Sequence, residues 1–224
     1  MYNYDEQQPF AAAEFAYNSE PRCPCLLLLD TSGSMSGAPI RDLNQALHQF
    51  KDELLGDSLA AKRVEIAMVT FGPVRVLSDF VGVENFQVPS LTANGDTPIG
   101  AAITSGLDLL RQRKETLRSH GIGLFRPWVF LITDGAPTDN WQHVPALIQQ
   151  GEHSKGFSFF ALAVEGADIE TLLQICVREP IKLKGTKFKE FFLWLSASLK
   201  GVSKSNPGET VALPDYKPYG WAEV

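Results

Sequence analysis

Two short apolar runs, each ending at an aspartate, constrain this 224-residue chain more than any other feature. The first is Cys25-Leu-Leu-Leu-Leu29 before Asp30, and the second is Trp128-Val-Phe-Leu-Ile-Thr133 before Asp134. Runs this short cannot cross a bilayer, which takes about 20 residues. A strand with one wet face would alternate with polar positions, so an unbroken run is expected of a central strand covered on both faces, as in parallel sheets. Phe157 to Val164 forms a third such run. Helical spacing lies between and beyond them, at Ile40, Leu43, Leu47, Phe50 and Leu54, at Ile99, Ala102, Ile103, Leu107 and Leu110, and at Phe188, Phe191, Phe192, Leu195 and Leu199. Alternating strands and helices predict the α/β class, with a doubly wound, mainly parallel, Rossmann-like sheet and helices on both faces. One antiparallel edge strand is expected, because Arg63–Phe71 and Val74–Phe80 flank the turn signal Gly72-Pro73. Ligands of such sheets bind beyond the carboxyl ends of the strands, where strand order reverses. Both aspartates fall at carboxyl ends.

Further helices are expected over 141–153 and over 168–176, the latter capped by Asp168, with a short edge strand at 181–183. These elements give one domain over residues 21–201, an N-terminal arm over 1–20, and a polar, Pro/Gly-rich tail over 202–224. With 44% hydrophobic and 21% charged residues, the chain has enough apolar mass for a core and too little charge for disorder. A net charge of −6 without a sustained basic run argues against sequence-independent binding to nucleic acid. The locally basic stretch Lys182–Lys189 reads as a solvated edge. The first 20 residues carry acidic side chains and lack the apolar core of a secretory signal, so a cytoplasmic protein without membrane insertion is expected. Three cysteines, two of them separated only by Pro24, suit reduced thiols, and no second Cys/His pair stands at zinc-ligand spacing.

The candidate chemistry begins at Asp30-Thr-Ser-Gly-Ser34, where a carboxylate and two hydroxyls occupy alternate positions of a loop leaving a buried strand. Hydroxyl, carboxylate and water are hard oxygen donors, and Mg²⁺ takes six of them at about 2.0–2.1 Å with only one or two protein carboxylates. Asp30 and Asp134 fill that quota, and Thr97, ahead of Pro98 and a helix, adds a hydroxyl. The candidate ligands are therefore Asp30, Ser32, Ser34, Thr97 and Asp134, and the ion is Mg²⁺, with Mn²⁺ or Ca²⁺ as alternatives. Each residue also has a plainer reading: Asp30 to Ser34 as a cap and turn, Thr97 as a helix N-cap, Asp134-Gly135 as a turn. Turns alone do not require two buried strands to deliver aspartates to one sheet edge. Two carboxylates roughly neutralise a divalent ion and leave a solvent-facing position attractive to a carboxylate of another protein. Two enzymatic alternatives stay open. A serine hydrolase using Ser32 or Ser34 needs a base from among His48, His120, His143 and His153, and no Gly-x-Ser-x-Gly elbow surrounds either serine. An Mg²⁺-dependent phosphoryl-transfer enzyme would use the aspartate at a strand end, but the Walker-type lysine loop is missing.

Asp30-Thr-Ser-Gly-Ser34-Met35, Gly95-Asp96-Thr97-Pro98-Ile99-Gly100 and Leu131-Ile-Thr-Asp134-Gly135, in that order, resemble the metal-ion-dependent adhesion site of von Willebrand factor A domains. The resemblance covers roughly residues 24–200. It implies that Ser32, Ser34 and Thr97 bind the ion directly while Asp30 and Asp134 act largely through water, and that the domain binds an acidic protein partner without breaking bonds. Ser36-Gly37-Ala38-Pro39-Ile40 resembles the bacterial tellurite-resistance TerY branch, which implies a stress-response setting and an operon-associated kinase or phosphatase as partner. Asp96 departs from the pattern, because relatives often carry glycine there.

Overall fold

The computed structural model describes residues 15–222. Most of the N-terminal arm, with Tyr2, Tyr4 and Phe10, lies outside the described residues. The elements run β1 (Cys23–Asp30), α1 (Ala38–Leu55), α2 (Ser58–Arg63), β2 (Val64–Phe71), β3 (Arg75–Gly82), α3 (Ile99–Ser119), β4 (Trp128–Thr133), α4 (Val144–His153), β5 (Ser158–Ala163), α5 (Ile169–Ile175), β6 (Ile181–Lys182) and α6 (Phe188–Ser203). The sheet order is β3-β2-β1-β4-β5-β6. Every pair is parallel except β2 with β3, as the sequence predicts. The chain winds outward from β1 to β3, crosses back through α3, and resumes at β4 on the other side of β1. Strand order therefore reverses between β1 and β4.

The apolar run of β1 is unbroken because both of its faces are core. Cys23, Cys25, Leu27 and Leu29 join the layer made with α1 and α6, while Leu26 and Leu28 join the layer made with α3, α4 and α5. All four leucines are fully buried. At about 1.5–3 kcal/mol for each such side chain, they contribute a gross term comparable with the 5–15 kcal/mol net stability of a typical domain. Gly106 lets α3 lie directly on this strand, since a Cβ there would stand 2.6 Å from a methyl of Leu28 and 3.0 Å from one of Leu26. Met35, Ile40, Leu43, Leu47, Phe50 and Leu54 complete the other layer, at the spacing read from the sequence.

Four expectations need correction. The polar residues of Arg63–Phe71 predict a strand with alternating faces that starts at Arg63, yet Arg63 ends the preceding helix and all eight residues of β2 are buried, because the strand lies inside the sheet between β1 and β3. The one acid in it, Glu65, is fully buried and held by Arg22 at 3.0 Å and by Arg113. The short helix α2 was not expected; Asp57 caps it through the amides of Leu59 and Ala60. The helix expected from Trp141 begins at Val144. Finally, the polar tail folds back, and Trp221 is fully buried against Phe191, Trp194 and Tyr216. Its carbonyl accepts from the Lys184 amide at 2.7 Å, and the Trp194 indole donates to Pro214 O at 2.8 Å. The Lys182–Lys189 stretch sets exposed Lys182, Lys184 and Lys189 beside buried Leu183 and Phe188, the solvated edge expected of it, while Lys187 is half-buried and donates to Gly220 O at 3.2 Å.

Candidate metal centre

The two loops that leave β1 and β4 meet at the carboxyl edge of the sheet where strand order reverses. Asp30 ends β1 and is fully buried. Its Oδ1 accepts from the Ser32 amide at 2.8 Å, which realises the turn reading, and its Oδ2 accepts from the Thr133 hydroxyl at 2.6 Å. After this turn a single 3₁₀ turn, Gly33–Met35, carries Ser34 to the surface while Met35 anchors it in the core. Ser32 Oγ and Ser34 Oγ lie 2.9 Å apart, and Ser34 Oγ donates to Asp134 Oδ1 at 2.6 Å. A continuous chain of oxygens thus joins residues 100 positions apart in sequence.

Thr97 arrives from a third loop. The plainer expectation, that its hydroxyl caps α3, is not met, because the residue before that helix is Pro98 and no side chain in the flanking turn caps it. Asp139 does so from the β4–α4 loop, its Oδ1 accepting from Gly100 N at 3.0 Å and its Oδ2 from Ala101 N at 2.7 Å. Thr97 itself is fixed by main-chain bonds, donating its amide to Thr138 Oγ1 and accepting from Thr138 N, both at 3.0 Å. Its hydroxyl faces Gly135, where a Cβ would stand 3.3 Å away. Thr97 Oγ1 therefore lies beside the Asp134 loop and is left to the site.

Backbone bonds further brace the loop after β1 against the end of β2 and residues 94–95: Thr31 N to Phe71 O at 2.9 Å, Asn94 N to Thr31 O at 2.7 Å, and Gly33 N to Gly95 O at 3.0 Å, with the Thr31 hydroxyl also donating to Phe71 O at 3.2 Å. Gly72 sits in their midst at φ 126°, where an added Cβ would stand 2.7 Å from Asn94 O, Ser32 N and the Thr31 carbonyl carbon.

Burial raises the Asp30 carboxyl above its ordinary value; hydrogen bonds from Ser32 and Thr133 oppose this, and the nearby Asp134 charge adds to it. Burial likewise raises Asp134 against the opposing bond from Ser34. Two desolvated carboxylates beside three hydroxyls make an acceptor-rich spot that a cation would neutralise. The spacing fits. Two ligands at right angles on an ion with bonds of about 2.0–2.1 Å stand about 2.9 Å apart, close to the Ser32–Ser34 and Ser34–Asp134 separations of 2.9 and 2.6 Å. The donors are all oxygen, the set that suits Mg²⁺, Mn²⁺ or Ca²⁺. Among the described residues no cluster of three or more His, Cys, Asp and Glu side chains stands ready for a metal. Cys23 and Cys25 are fully buried in the core, and burial pushes the Cys23 thiol up to about 12, so neither offers a thiolate. Among the described residues no histidine hydrogen-bonds to Ser32 or Ser34, and the bonded histidines, His143 and His120, meet Thr104, Thr116 and Ser119.

Sequence reasoning missed Thr133 and Asp139, the groups that orient Asp30 and free Thr97. A threonine directly before Asp134 was visible, but its partner lies 103 residues away.

A doubly wound α/β domain with a loop-built oxygen cluster at its switch point defines the class. The chain belongs to the von Willebrand factor type A domain family, whose model matches residues 26–190. That family often serves in adhesion and protein–protein interaction and commonly binds divalent metal. Similar solved structures include proximal thread matrix protein 1 from the mussel byssus, 17% identical with a TM-score of 0.53, covering 81% of this chain and 49% of that one. The pilus adhesin SpaC of Lactobacillus rhamnosus GG is 13% identical with a TM-score of 0.61, covering 83% of this chain and 31% of that one. The chain thus spans half or less of these proteins, and at such identity the likeness is one of fold. No curated protein matches. Among the described residues no helix is long and apolar enough to cross a membrane.

Proposed function

We propose that this protein is a metal-dependent protein-binding module in which Asp30, Ser32, Ser34, Thr97 and Asp134 hold a divalent ion, Mg²⁺ first among the candidates, that grips a carboxylate of a partner. The observation that carries this reading is the oxygen chain Ser32–Ser34–Asp134 at the switch point, with Thr97 beside it and its hydroxyl unused by the helix. When bound, the ion supplies Lewis-acid attraction for an anionic ligand. The residues do the rest: Asp30 and Asp134 balance the charge, buried Ser32 and Thr97 form the floor, and Ser34 opens the site to solvent. Asp96 is exposed one residue from Thr97, and its charge opposes an acidic ligand, so it moderates affinity.

The Ser36–Ile40 segment supports placement in the bacterial tellurite-resistance TerY-like branch, with a cytoplasmic setting and an operon-associated kinase or phosphatase as partner. Gly37, at φ 91°, precedes α1 there, and Pro39 lies in its first turn.

The test is affinity capture from the source cell with Mg²⁺ or with EDTA, using wild type, Ser34→Ala and Thr97→Ala. Capture of an acidic-surfaced partner should require the ion and be lost in both variants, while their circular dichroism stays native. Equal capture in EDTA would sink the reading.

A further inference from the structure

The sheet edge opposite Asp30 and Asp134 carries a cavity of about 790 Å³. It lies among the starts of β4 and β5, the end of α3, the turn after α4, and residues 208–213 of the returning C-terminal segment. Its volume is in the range of small-molecule sites, about 300–1,000 Å³. Five cations line it, Lys114, Arg118, Arg126, Lys155 and Arg178, on a chain of net charge −6.

Among the described residues two carboxylates are seen to engage this lining. Glu152 is shared by Arg126, at 2.6 Å, and Arg178, and Glu209 is engaged by the amide and side chain of Asn206. Among the described residues Lys114, Arg118 and Lys155 have no ion-pair partner, and Lys114 Nζ donates only to Gly156 O, at 2.9 Å. Burial and the Arg118 charge push Lys114 below its ordinary value, and burial and the Arg126 charge do the same for Arg178. A helix C-terminus attracts cations, which accounts for Arg118 in the last turn of α3. It does not account for Lys155, held at φ 55°, the one non-glycine in the left-handed region among the described residues. Glycine would adopt that conformation without strain, so a lysine stands at the cavity mouth against the backbone's preference.

We propose that this cavity binds a phosphate-bearing small molecule through Lys114, Arg118, Lys155 and Arg178. Arginine forks and lysine point charges match phosphate oxygens, and a half-open pocket of this volume suits a compact anion better than an extended acidic segment. The aromatic floor does not read a base. One face of Phe160 stacks on Phe130 at 4.9 Å, and Arg178 lies over the ring at 5.0 Å. A nucleotide and a simple polyphosphate are therefore expected to bind alike, through their phosphates.

Calorimetric titration of the metal-free full chain with tripolyphosphate, ATP and adenosine tests this, since without an ion the Asp30–Asp134 edge repels phosphate. Tripolyphosphate and ATP should bind with similar affinity and adenosine should not. Arg118→Ala and Lys155→Gly should each weaken binding about tenfold, about 1.4 kcal/mol, while Lys155→Gly keeps or raises the melting temperature. ATP binding much tighter than tripolyphosphate would leave the phosphate site standing and make the ligand a nucleotide. Three results would overturn the proposal: no binding by either phosphate compound, undiminished affinity in both variants, or tighter binding of an oligoglutamate peptide than of tripolyphosphate.

Discussion

Replacing Thr133 by valine removes one hydroxyl from a fully buried position and almost nothing else, because the two side chains share a shape. The lost group donates to Asp30 Oδ2 at 2.6 Å and accepts from Gly135 N at 3.2 Å. The first bond ends on a buried carboxylate and belongs to the charged class, worth about 1.5–3 kcal/mol. The second is long, and Gly135 is half-buried, so water can replace much of it. A loss near 2 kcal/mol in the metal-free protein follows. In a domain of this size that is a fall of roughly 4–8 °C in melting temperature. Metal affinity should suffer more. Without this donor Asp30 rises further above its ordinary value and loses its orientation, and removing such a supporting group typically costs about 10- to 100-fold in affinity. Thr133→Ser keeps the hydroxyl and loses only a methyl, so it should lose about 1 kcal/mol of stability and keep its metal affinity. Urea unfolding with chelator present, and calorimetric titration with Mg²⁺ and Mn²⁺, read the two quantities separately. Wild-type ion affinity in Thr133→Val would refute the claim that Thr133 sets up Asp30.

Because burial raises both site carboxyls, the folded chain retains protons there that the unfolded chain releases near pH 3.8. Metal-free stability therefore falls as pH rises from that value through the raised ones. Relative to wild type, an Asp30→Asn, Asp134→Asn protein should gain stability across that window, and Mg²⁺ should erase the difference; parallel stability curves would contradict this. Trp221→Ala should cost about 3–5 kcal/mol, the usual loss for a buried large aromatic. Trp221→Phe should cost far less, since the indole nitrogen has no hydrogen-bond partner to lose. A change below about 1 kcal/mol in the alanine variant, by urea unfolding, would mean that the C-terminal segment is not docked.

The interior strands were legible because burial on two faces leaves a short unbroken apolar run ending at a turn, as in Cys25–Leu29 and Trp128–Ile132. Thr97 and the two aspartates could be singled out because each sits at a boundary between an apolar run and a turn. What escaped was set by distant partners. Glu65 makes β2 look half-wet, although Arg22 and Arg113, from elsewhere in the chain, neutralise it inside the core. Asp139 caps a helix that begins 40 residues earlier, beyond the reach of any capping pattern. Trp221 stands in a polar stretch without a period, and only its seat on Phe191 and Trp194 of α6 explains its burial. At six residues, α2 is too short to display a period.

The bonds that tie the Asp30 loop to the end of β2 and to residues 94–95 run from main chain to main chain apart from the Thr31 hydroxyl on Phe71 O, and they demand glycine at 72 and at 95, where φ is 78° and a Cβ would stand 3.1 Å from Gly72 O. Side chains pointing outward at Ser36, Asn94 and Asp96 are exposed and hold nothing in place. The rim can therefore be rewritten residue by residue while the cradle beneath it stays still. Exchange of Asp96 is thus a change of charge at the rim that leaves the supporting backbone bonds untouched.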